Sequence, residues 1–294
     1  MTDTTPIVLG FSEYAEAGRR FADASDCSFA EISVHQFPDG ERRVQLPAEL
    51  PARVIFCRSL NDPDHKLIEL FLAATTARQL GATDLTLVAP YLCYMRQDMA
   101  FAPGEAVSQR IVGALLAQHF DGLITVDPHL HRVQTLGEAS PVSRPRVPST
   151  APVLASFLSE QLDNPLLVGP DEESEQWVGA IAREQELDFV VGRKVRHGDR
   201  DVEIELPSMD YRDRQAVLVD DVASTGSTLR VAGELLLAQQ VASVDVLVTH
   251  ALFAGDALPR LTAAGIRNVW STDAIPHTSN RIHLDRLLAE ALKT

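Results

Sequence analysis

Two adjacent carboxylates follow a short apolar run in the sequence VLVDDVASTGSTL, residues 217–229. Asp220 and Asp221 end the run, and a segment of Ser, Thr and Gly follows them. In parallel α/β sheets, ligands bind beyond the carboxyl ends of the strands, where a short loop enters the next helix. The sequence therefore predicts a ligand site at which negative charge lies beside hydroxyl and amide donors.

The loop that follows the two carboxylates has the composition of a phosphate-binding turn. Its candidate donors are Ser224, Thr225, Gly226, Ser227 and Thr228. Exposed amides at a helix start bind phosphate without needing a lysine. Because carboxylates repel phosphate, we expect Asp220 and Asp221 to accept hydrogen bonds from sugar hydroxyls or to meet phosphate through a metal. The combination of carboxylates with phosphate-binding donors indicates a sugar phosphate. The alternative, an ordinary helix with a Ser or Thr cap, accounts for the loop but not for the two carboxylates.

A turn and a second polar segment mark the first half of the chain. QFPDGERRVQL, residues 36–46, predicts a hairpin that projects around a Pro-Asp-Gly turn, although such a turn need not be functional. APYLCYMRQDMAF, residues 89–101, predicts a strand that runs out to Arg96, Gln97 and Asp98. Both segments place polar side chains where a ligand can reach them.

A histidine pair and a basic pair supply further candidates. VDPHLHR predicts another strand end, with Asp127, His129 and His131, and alternating histidines can bind a metal from one face of a strand. Lys194 and Arg196 alternate on a predicted strand that runs into a hairpin, so both can face one cleft. Composition alone equally indicates a solvated edge strand that lysine protects from pairing.

The bulk composition limits the class of protein. With 294 residues, 45% hydrophobic and 23% charged, the chain has the size and composition of two α/β domains. Its net charge of −15 argues against general nucleic-acid binding. No apolar run approaches the roughly 20 residues of a membrane helix, and we expect a cytoplasmic protein. Cys27, Cys57 and Cys93 lack the spacing of a zinc site or disulfide framework, and we expect them to be reduced.

Short apolar strands alternate with helix-length segments in two successive rounds, which predicts an α/β fold of two tandem domains with largely parallel sheets. The predicted strands are 6–11, 53–60, 84–91, 121–127, 165–170, 189–195, 216–221, 243–252 and 268–272. The prolines of 141–150 predict the seam, giving domains at 1–146 and 147–294. The last segment, 285–294, predicts a helix that can pack on the N-terminal domain.

Taken together, the motifs resemble the ribose-phosphate diphosphokinase family along nearly the whole chain. In chain order they are FPDGE, PYxxYxRQD, GEAxS, VDxH, GPD and VDDxxSTGST. Phosphoribosyltransferases share only the last of them. The resemblance implies two phosphoribosyltransferase-type domains, of which residues 1–146 contact ATP and residues 147–294 bind ribose 5-phosphate. It also implies transfer of the diphosphoryl group of ATP to the sugar 1-hydroxyl, giving 5-phosphoribosyl 1-diphosphate and AMP.

The resemblance further implies a role for each candidate residue. The implied ATP-binding residues are Phe37, Asp39, Gly40, Glu41, Arg96, Gln97, Asp98 and His129. The implied ribose 5-phosphate site comprises Asp220, Asp221, Ser224, Thr225, Gly226, Ser227 and Thr228. His129 and Asp171 match magnesium positions, and Lys194 and Arg196 match the catalytic basic pair. Because two subunits share the implied ATP site, we expect a homo-oligomer.

Two departures from the family pattern keep alternatives open. Met99, Ala100 and Phe101 stand where the family has a basic residue, and Glu172 and Glu173 replace a small, Gly-containing segment. One alternative is a non-catalytic paralogue that regulates an active synthetase, although the catalytic and metal positions are retained. The other is a phosphoribosyltransferase acting on a nucleobase, which needs only one α/β domain with a hood.

Overall fold

The computed structural model describes residues 5–130, 132–197 and 201–293, with the backbone alone at 195–197 and 201–203. The chain divides into two compact units, each built around its own sheet. Unit 1 comprises Met1–Pro148, Ala274–Pro276 and His283–Thr294, and unit 2 comprises Ser149–Asp273 and His277–Ile282. Within the described part of the chain, no helix has both the length and the apolar composition needed to cross a membrane.

Strands and helices alternate along both units, as the sequence predicts. The strands are β1 (Ile7–Phe11), β2 (Ser28–Gln36), β3 (Arg42–Gln45), β4 (Arg53–Cys57), β5 (Asp84–Val88), β6 (Gly122–Ile124), β7 (Arg144–Arg146), β8 (Leu166–Gly169), β9 (Phe189–Val191), β10 (Arg193–His197), β11 (Asp201–Glu205), β12 (Gln215–Ala223), β13 (Ser243–Ala251), β14 (Asn268–Thr272) and β15 (Asn280–Ile282). The helices are α1 (Ala15–Ala24), α2 (Pro63–Gln79), α3 (Ser108–His119), α4 (Leu136–Ala139), α5 (Ala151–Gln161), α6 (Glu175–Gln185), α7 (Ser227–Ala238), α8 (Ala257–Ala263) and α9 (Asp285–Lys293).

Each unit has a largely parallel sheet, which confirms the predicted fold class. In unit 1 the strand order is β3-β2-β1-β4-β5-β6-β7, and β2 with β3 forms the antiparallel pair. In unit 2 the order is β15-β14-β13-β12-β8-β9, with parallel neighbours. Strands such as β4 and β13 are apolar along most of their length because helices cover both faces of a parallel sheet.

The terminal helix contributes to the core of unit 1. Leu288 and Ala289 of α9 are buried in the same apolar cluster as Phe21 and Ala22 of α1 and Ile55 of β4. The alternation of apolar and polar residues in DRLLAEALK places these side chains on one face of the helix.

Several of the predicted strand ends are wrong. β5 and β6 stop at Val88 and Ile124, before the prolines that follow, so residues 96–98 and 129 lie on loops. Pro90 has no N–H to continue a ladder, which accounts for the early end of β5. β12 instead continues past the two carboxylates, because Val222 and Ala223 still pair with β13.

A further error concerns the segment that carries the basic pair. The sequence predicts one strand over 189–195, whereas the structure divides it at Gly192 into β9 and β10. A Cβ at Gly192 would lie 2.8 Å from the carbonyl oxygen of Pro170, so a larger residue does not fit this close approach. β9 belongs to the six-stranded sheet, and β10 pairs with β11 in a separate two-stranded hairpin.

Candidate active site

Three carboxylates lie close together at the carboxyl edge of the sheet in unit 2. Asp220 and Asp221 lie near the carboxyl end of β12, and Asp171 follows β8. Asp220 accepts a hydrogen bond from the Asp221 amide at 2.9 Å, and Asp221 accepts one from the Val222 amide at 2.8 Å. Burial, and then the negative charges of Asp221 and Asp171, raise the pKa of Asp220 well above its usual value. The arrangement favours a ligand that brings positive charge or hydroxyl donors.

The predicted phosphate loop lies directly beyond these carboxylates. Gly226 has a φ of +69°, a left-handed conformation that favours glycine, and α7 begins at the next residue. The Thr225 hydroxyl donates to the Ser227 hydroxyl at 3.1 Å and accepts from the Ser227 amide at 3.4 Å. Because the first amides of a helix have no partner within it, this loop presents donors to an anion. The structure brings all five predicted loop residues, 224–228, into one turn.

Lys194 brings a cation to the same unit. Its Nζ atom, on β10, lies 3.7 Å from a carboxylate oxygen of Asp171. Asp171 is held by a capping box, in which its carboxylate accepts from the Glu173 amide and its own amide donates to the Ser174 hydroxyl. Arg196 is two residues beyond Lys194 on β10, but its side chain lies outside the described part of the structure.

In unit 1, the predicted turn at the tip of the β2–β3 hairpin is confirmed. The Phe37 amide donates to the Glu41 carbonyl and the Gly40 amide to the Phe37 carbonyl, both at 2.9 Å. The Asp39 carboxylate accepts from the Glu41 amide at 3.2 Å, and Gly40 has a φ of +96°. The Phe37 ring is 38% exposed and packs edge-on against His35. The turn therefore offers an aromatic face and two carboxylates to a ligand.

The loop after β5 places its three predicted residues in different surroundings. Arg96 is exposed, Gln97 is half-buried and Asp98 is buried. The Asp98 carboxylate accepts from the Arg132 side chain at 2.6 Å and from the Arg132 amide at 3.1 Å. Burial opposes ionisation of Asp98, but the hydrogen bonds and charge of Arg132 outweigh it and lower the pKa of this carboxyl. Asp98 thereby connects this loop to the loop that carries His129.

The sequence did not identify Arg132 as the partner of Asp98. The two residues are 34 positions apart, so no local pattern in the sequence connects them. His129 is half-buried on the loop after β6, in unit 1, whereas Asp171 belongs to unit 2. His131, the other member of the histidine pair, lies outside the described residues.

Magnesium suits the donors of unit 2 only if substrate completes its coordination. Across the described residues, no set of three or more His, Cys, Asp or Glu side chains is arranged to hold a metal. Magnesium takes oxygen ligands and usually retains water while it binds one or two carboxylates and substrate phosphates. The carboxyl oxygens of Asp171, near those of Asp220 and Asp221, fit that chemistry.

Comparison with known proteins decides the family. Residues 7–119 match the N-terminal domain of ribose phosphate pyrophosphokinase, and residues 151–271 match the phosphoribosyl transferase domain. The ribose-phosphate pyrophosphokinase of Methanopyrus kandleri is 34% identical over 290 residues, which cover 98% of each chain. This chain belongs to the ribose-phosphate pyrophosphokinase family. The resemblance drawn from the motifs is therefore confirmed.

Other ribose-phosphate pyrophosphokinases match over similar lengths. The protein from Methanothermobacter thermautotrophicus is 30% identical over 295 residues, covering 98% of this chain and 100% of the relative. The protein from Halobacterium salinarum is 31% identical over 289 residues, covering 97% and 100%. The crystal structure of phosphoribosylpyrophosphate synthetase from Mycobacterium smegmatis superimposes with a TM-score of 0.84 at 20% identity, covering 98% of both chains, which shows a common fold.

Proposed function

We propose that this chain transfers the diphosphoryl group of ATP to the 1-hydroxyl of ribose 5-phosphate, giving 5-phosphoribosyl 1-diphosphate and AMP. The observation that carries the proposal is the arrangement in unit 2, where the amide-lined turn follows the carboxylates of β12 and Asp171, which contacts Lys194, lies close enough to Asp220 to raise its pKa. Membership of the ribose-phosphate pyrophosphokinase family supports it.

The sugar phosphate binds to the parts of unit 2 that match its charges. The amides and hydroxyls of 224–228 bind the 5-phosphate, and Asp220 and Asp221 accept hydrogen bonds from the ribose hydroxyls. This leaves the 1-hydroxyl directed at the β-phosphorus of ATP. Phosphoryl transfer needs alignment and stabilisation of charge more than covalent catalysis. Lys194 and Arg196 provide that stabilisation at the transferred oxygens.

ATP and magnesium complete the site. Phe37, Asp39, Gly40 and Glu41 bind the adenine, and Phe37 supplies an exposed ring for stacking. The triphosphate is bound by Arg96, Gln97 and His129. Asp98, the other predicted ATP-site residue of unit 1, contributes by holding the loop of Arg96 to the loop of His129 through Arg132. His129 and Asp171 are each proposed as magnesium ligands, and the ion would neutralise charge on the phosphates. In a homo-oligomer, the hairpin of one subunit and Arg96 with Gln97 of its neighbour bind the same nucleotide.

The direct test follows AMP formation by chromatography after mixing the purified chain with ATP, magnesium and ribose 5-phosphate. We expect AMP only when the sugar is present. Lys194→Ala should reduce the rate by about 100-fold or more, because it removes a charge that stabilises the transferred group. Lys293→Ala is the matched control, since this exposed lysine at the end of α9 lies in unit 1.

Two outcomes would overturn the proposal. Nucleotide binding without AMP formation under any divalent metal would indicate the regulatory paralogue. Met99, Glu172 and Glu173, which depart from the family pattern, would then be the first residues to replace. Consumption of a nucleobase together with phosphoribosyl diphosphate would indicate a phosphoribosyltransferase.

A further inference from the structure

A buried group of charged side chains lies at the carboxyl edge of the sheet in unit 1. Arg58, directly after β4, is 2% exposed, and its guanidinium lies 3.7 Å from the centre of the Phe11 ring. It donates from Nε to Glu13 at 2.6 Å, from Nη1 to the Lys66 carbonyl at 3.1 Å and from Nη2 to Glu69 at 2.5 Å. Arg58 therefore fixes the position of the Glu69 side chain on α2.

Glu69 connects this buried group to the hairpin. Its second carboxylate oxygen lies 3.4 Å from Nε of Arg42, the first residue of β3. Arg42 directly follows Glu41, the last residue of the predicted adenine-binding turn. A continuous series of ionic contacts, from Arg58 through Glu69 to Arg42, therefore joins the end of β4 to the hairpin beside its tip.

The hairpin needs an external contact to fix its orientation. β3 is an outermost strand with β2 as its neighbour in the sheet, so the pairing of the two strands fixes the shape of the hairpin but not its tilt. Val44 packs against the apolar core nearer the base. The Arg42–Glu69 contact acts nearer the tip, at the end that presents Phe37 and Glu41.

A role in stability alone does not account for such a group. Replacing buried ion pairs with apolar side chains is often neutral or stabilising, because desolvation offsets the attraction between the charges. What an ion pair adds is a defined geometry. Here that geometry is imposed on the strand that directly follows the nucleotide-binding turn.

We propose that Glu69, held by Arg58, is a positioning residue for nucleotide binding, and that it acts by fixing Arg42 and hence the Phe37–Glu41 turn. This proposal rests on the function proposed above and specifies how the nucleotide half of that site is held. Glu69 and Arg58 contact other protein groups rather than ATP. Their loss should therefore change the affinity for ATP and leave the sugar-binding half of the site unchanged.

The test uses Arg42→Ala, which breaks the contact to the hairpin and retains the buried Arg58–Glu69 pair. We expect the KM and the Kd for ATP to rise about tenfold, because a displaced turn no longer matches the nucleotide. The KM for ribose 5-phosphate and kcat should stay within about twofold of the wild type. Arg42→Lys, which restores a cation, should recover part of the affinity.

The matched control is Arg19→Ala. Arg19 forms a mostly exposed ion pair with Glu31 of β2 at 3.5 Å, so this variant also loses one positive charge and one ion pair to the same hairpin. We expect its ATP affinity to be unchanged. Glu69→Gln combined with Arg42→Ala provides a second test, since the double variant should lose no more ATP affinity than Glu69→Gln alone if the two residues act together.

Three results would overturn the positioning role. They are an unchanged ATP Kd in Arg42→Ala, an equal rise in the KM of both substrates, and an equal loss in Arg19→Ala. The Kd for ATP is measured by calorimetry without sugar and so does not depend on turnover. If the wild type bound ATP but formed no AMP, the proposed reaction would fail while the Kd comparison still decided the role of Glu69. A wild type that bound no ATP would overturn both proposals.

Discussion

Asp98 and Asp220 are both predicted at strand ends, yet the fold places them in opposite electrostatic surroundings. Arg132 donates twice to Asp98 and lowers its pKa despite burial. Asp220 faces Asp221 and Asp171, and its pKa is raised. The difference indicates which carboxyl group already has its hydrogen bonds and counter-charge within the fold and which one is suited to a ligand. Asp98 holds two loops together, whereas the group around Asp220 is suited to a cation or to hydroxyl donors.

A third acid extends the comparison within unit 2. Asp245 lies near the amino end of β13 and is 0% exposed. It accepts two hydrogen bonds from Arg267, at 3.0 and 2.5 Å, and one from Asn268 at 2.8 Å. At one edge of this sheet, therefore, an acid has hydrogen-bond partners within the fold. At the other edge, the acids repel one another.

The largest expected effect is on activity, in Asp220→Asn. We expect AMP formation to fall by about 100-fold, because the ribose hydroxyls lose a charged acceptor. The free energy of unfolding at pH 7 without metal should stay constant or rise, because one member of a repelling group becomes neutral. Thermal unfolding and the AMP assay measure the two quantities. A large loss of stability would show that Asp220 is satisfied within the fold, as Asp98 is.

Asp245→Ala should affect stability rather than activity. Removing this carboxylate leaves Arg267 and Asn268 without their partner, and we expect a loss of about 3 kcal/mol in the free energy of unfolding. Denaturant titration measures that loss. At temperatures where the variant remains folded, kcat should match the wild type, and a specific loss of kcat would contradict the division between the two edges of the sheet.

Asp98→Asn should give a smaller, pH-dependent loss. Arg132 is about half exposed and can be rehydrated, so we expect a cost of about 1 kcal/mol at pH 7. Because the folded pKa of Asp98 is lowered, its stabilising contribution is present above the unfolded pKa of about 3.9 and is lost as the pH falls through the folded pKa. The difference in Tm between wild type and variant should therefore shrink below about pH 4. A constant difference from pH 7 to pH 3.5 would show that the carboxylate charge is not involved.

The smallest expected effect is that of Gly226→Ala. Alanine in the left-handed conformation at φ +69° costs about 1 kcal/mol, and the added methyl has ordinary contacts with Ala257 and Leu261. We expect a modest fall in Tm together with a higher KM for ribose 5-phosphate. Gly81→Ala is the control, because Gly81 has a φ of +99° and open space around it, in a loop of unit 1. An equal change of KM in both variants would show that the turn at 224–228 does not bind the sugar phosphate.

Local sequence predicted the strand, loop and helix around the candidate site of unit 2 well, because these elements are contiguous there. The two carboxylates and the five residues 224–228 lie within one short segment, so their proximity follows from connectivity alone. The two rounds of strands and helices likewise predicted both sheets, since each parallel connection needs a crossover helix.

What the sequence did not reveal depends on long-range contacts. The partner of Asp98 is 34 residues away, and the Arg42–Glu69 contact joins a strand to the following helix across 27 positions. Such pairs depend on which strands become neighbours, which hydrophobic periodicity does not specify. The strand ends at Val88 and Ile124 were misjudged because apolar residues continue beyond them, and too little weight was given to Pro90, which stops the ladder of β5.

The two outermost strands of the seven-stranded sheet also influence how copies of the chain meet. β3 begins with Arg42 and Arg43, and β7 reads Arg144-Pro145-Arg146. Outer strands present unpaired amides and carbonyls to other chains, but Pro145 has no amide to offer and paired arginines repel their counterparts on an identical edge. Crowded or newly synthesised copies are therefore discouraged from joining their sheets into fibres at these two edges.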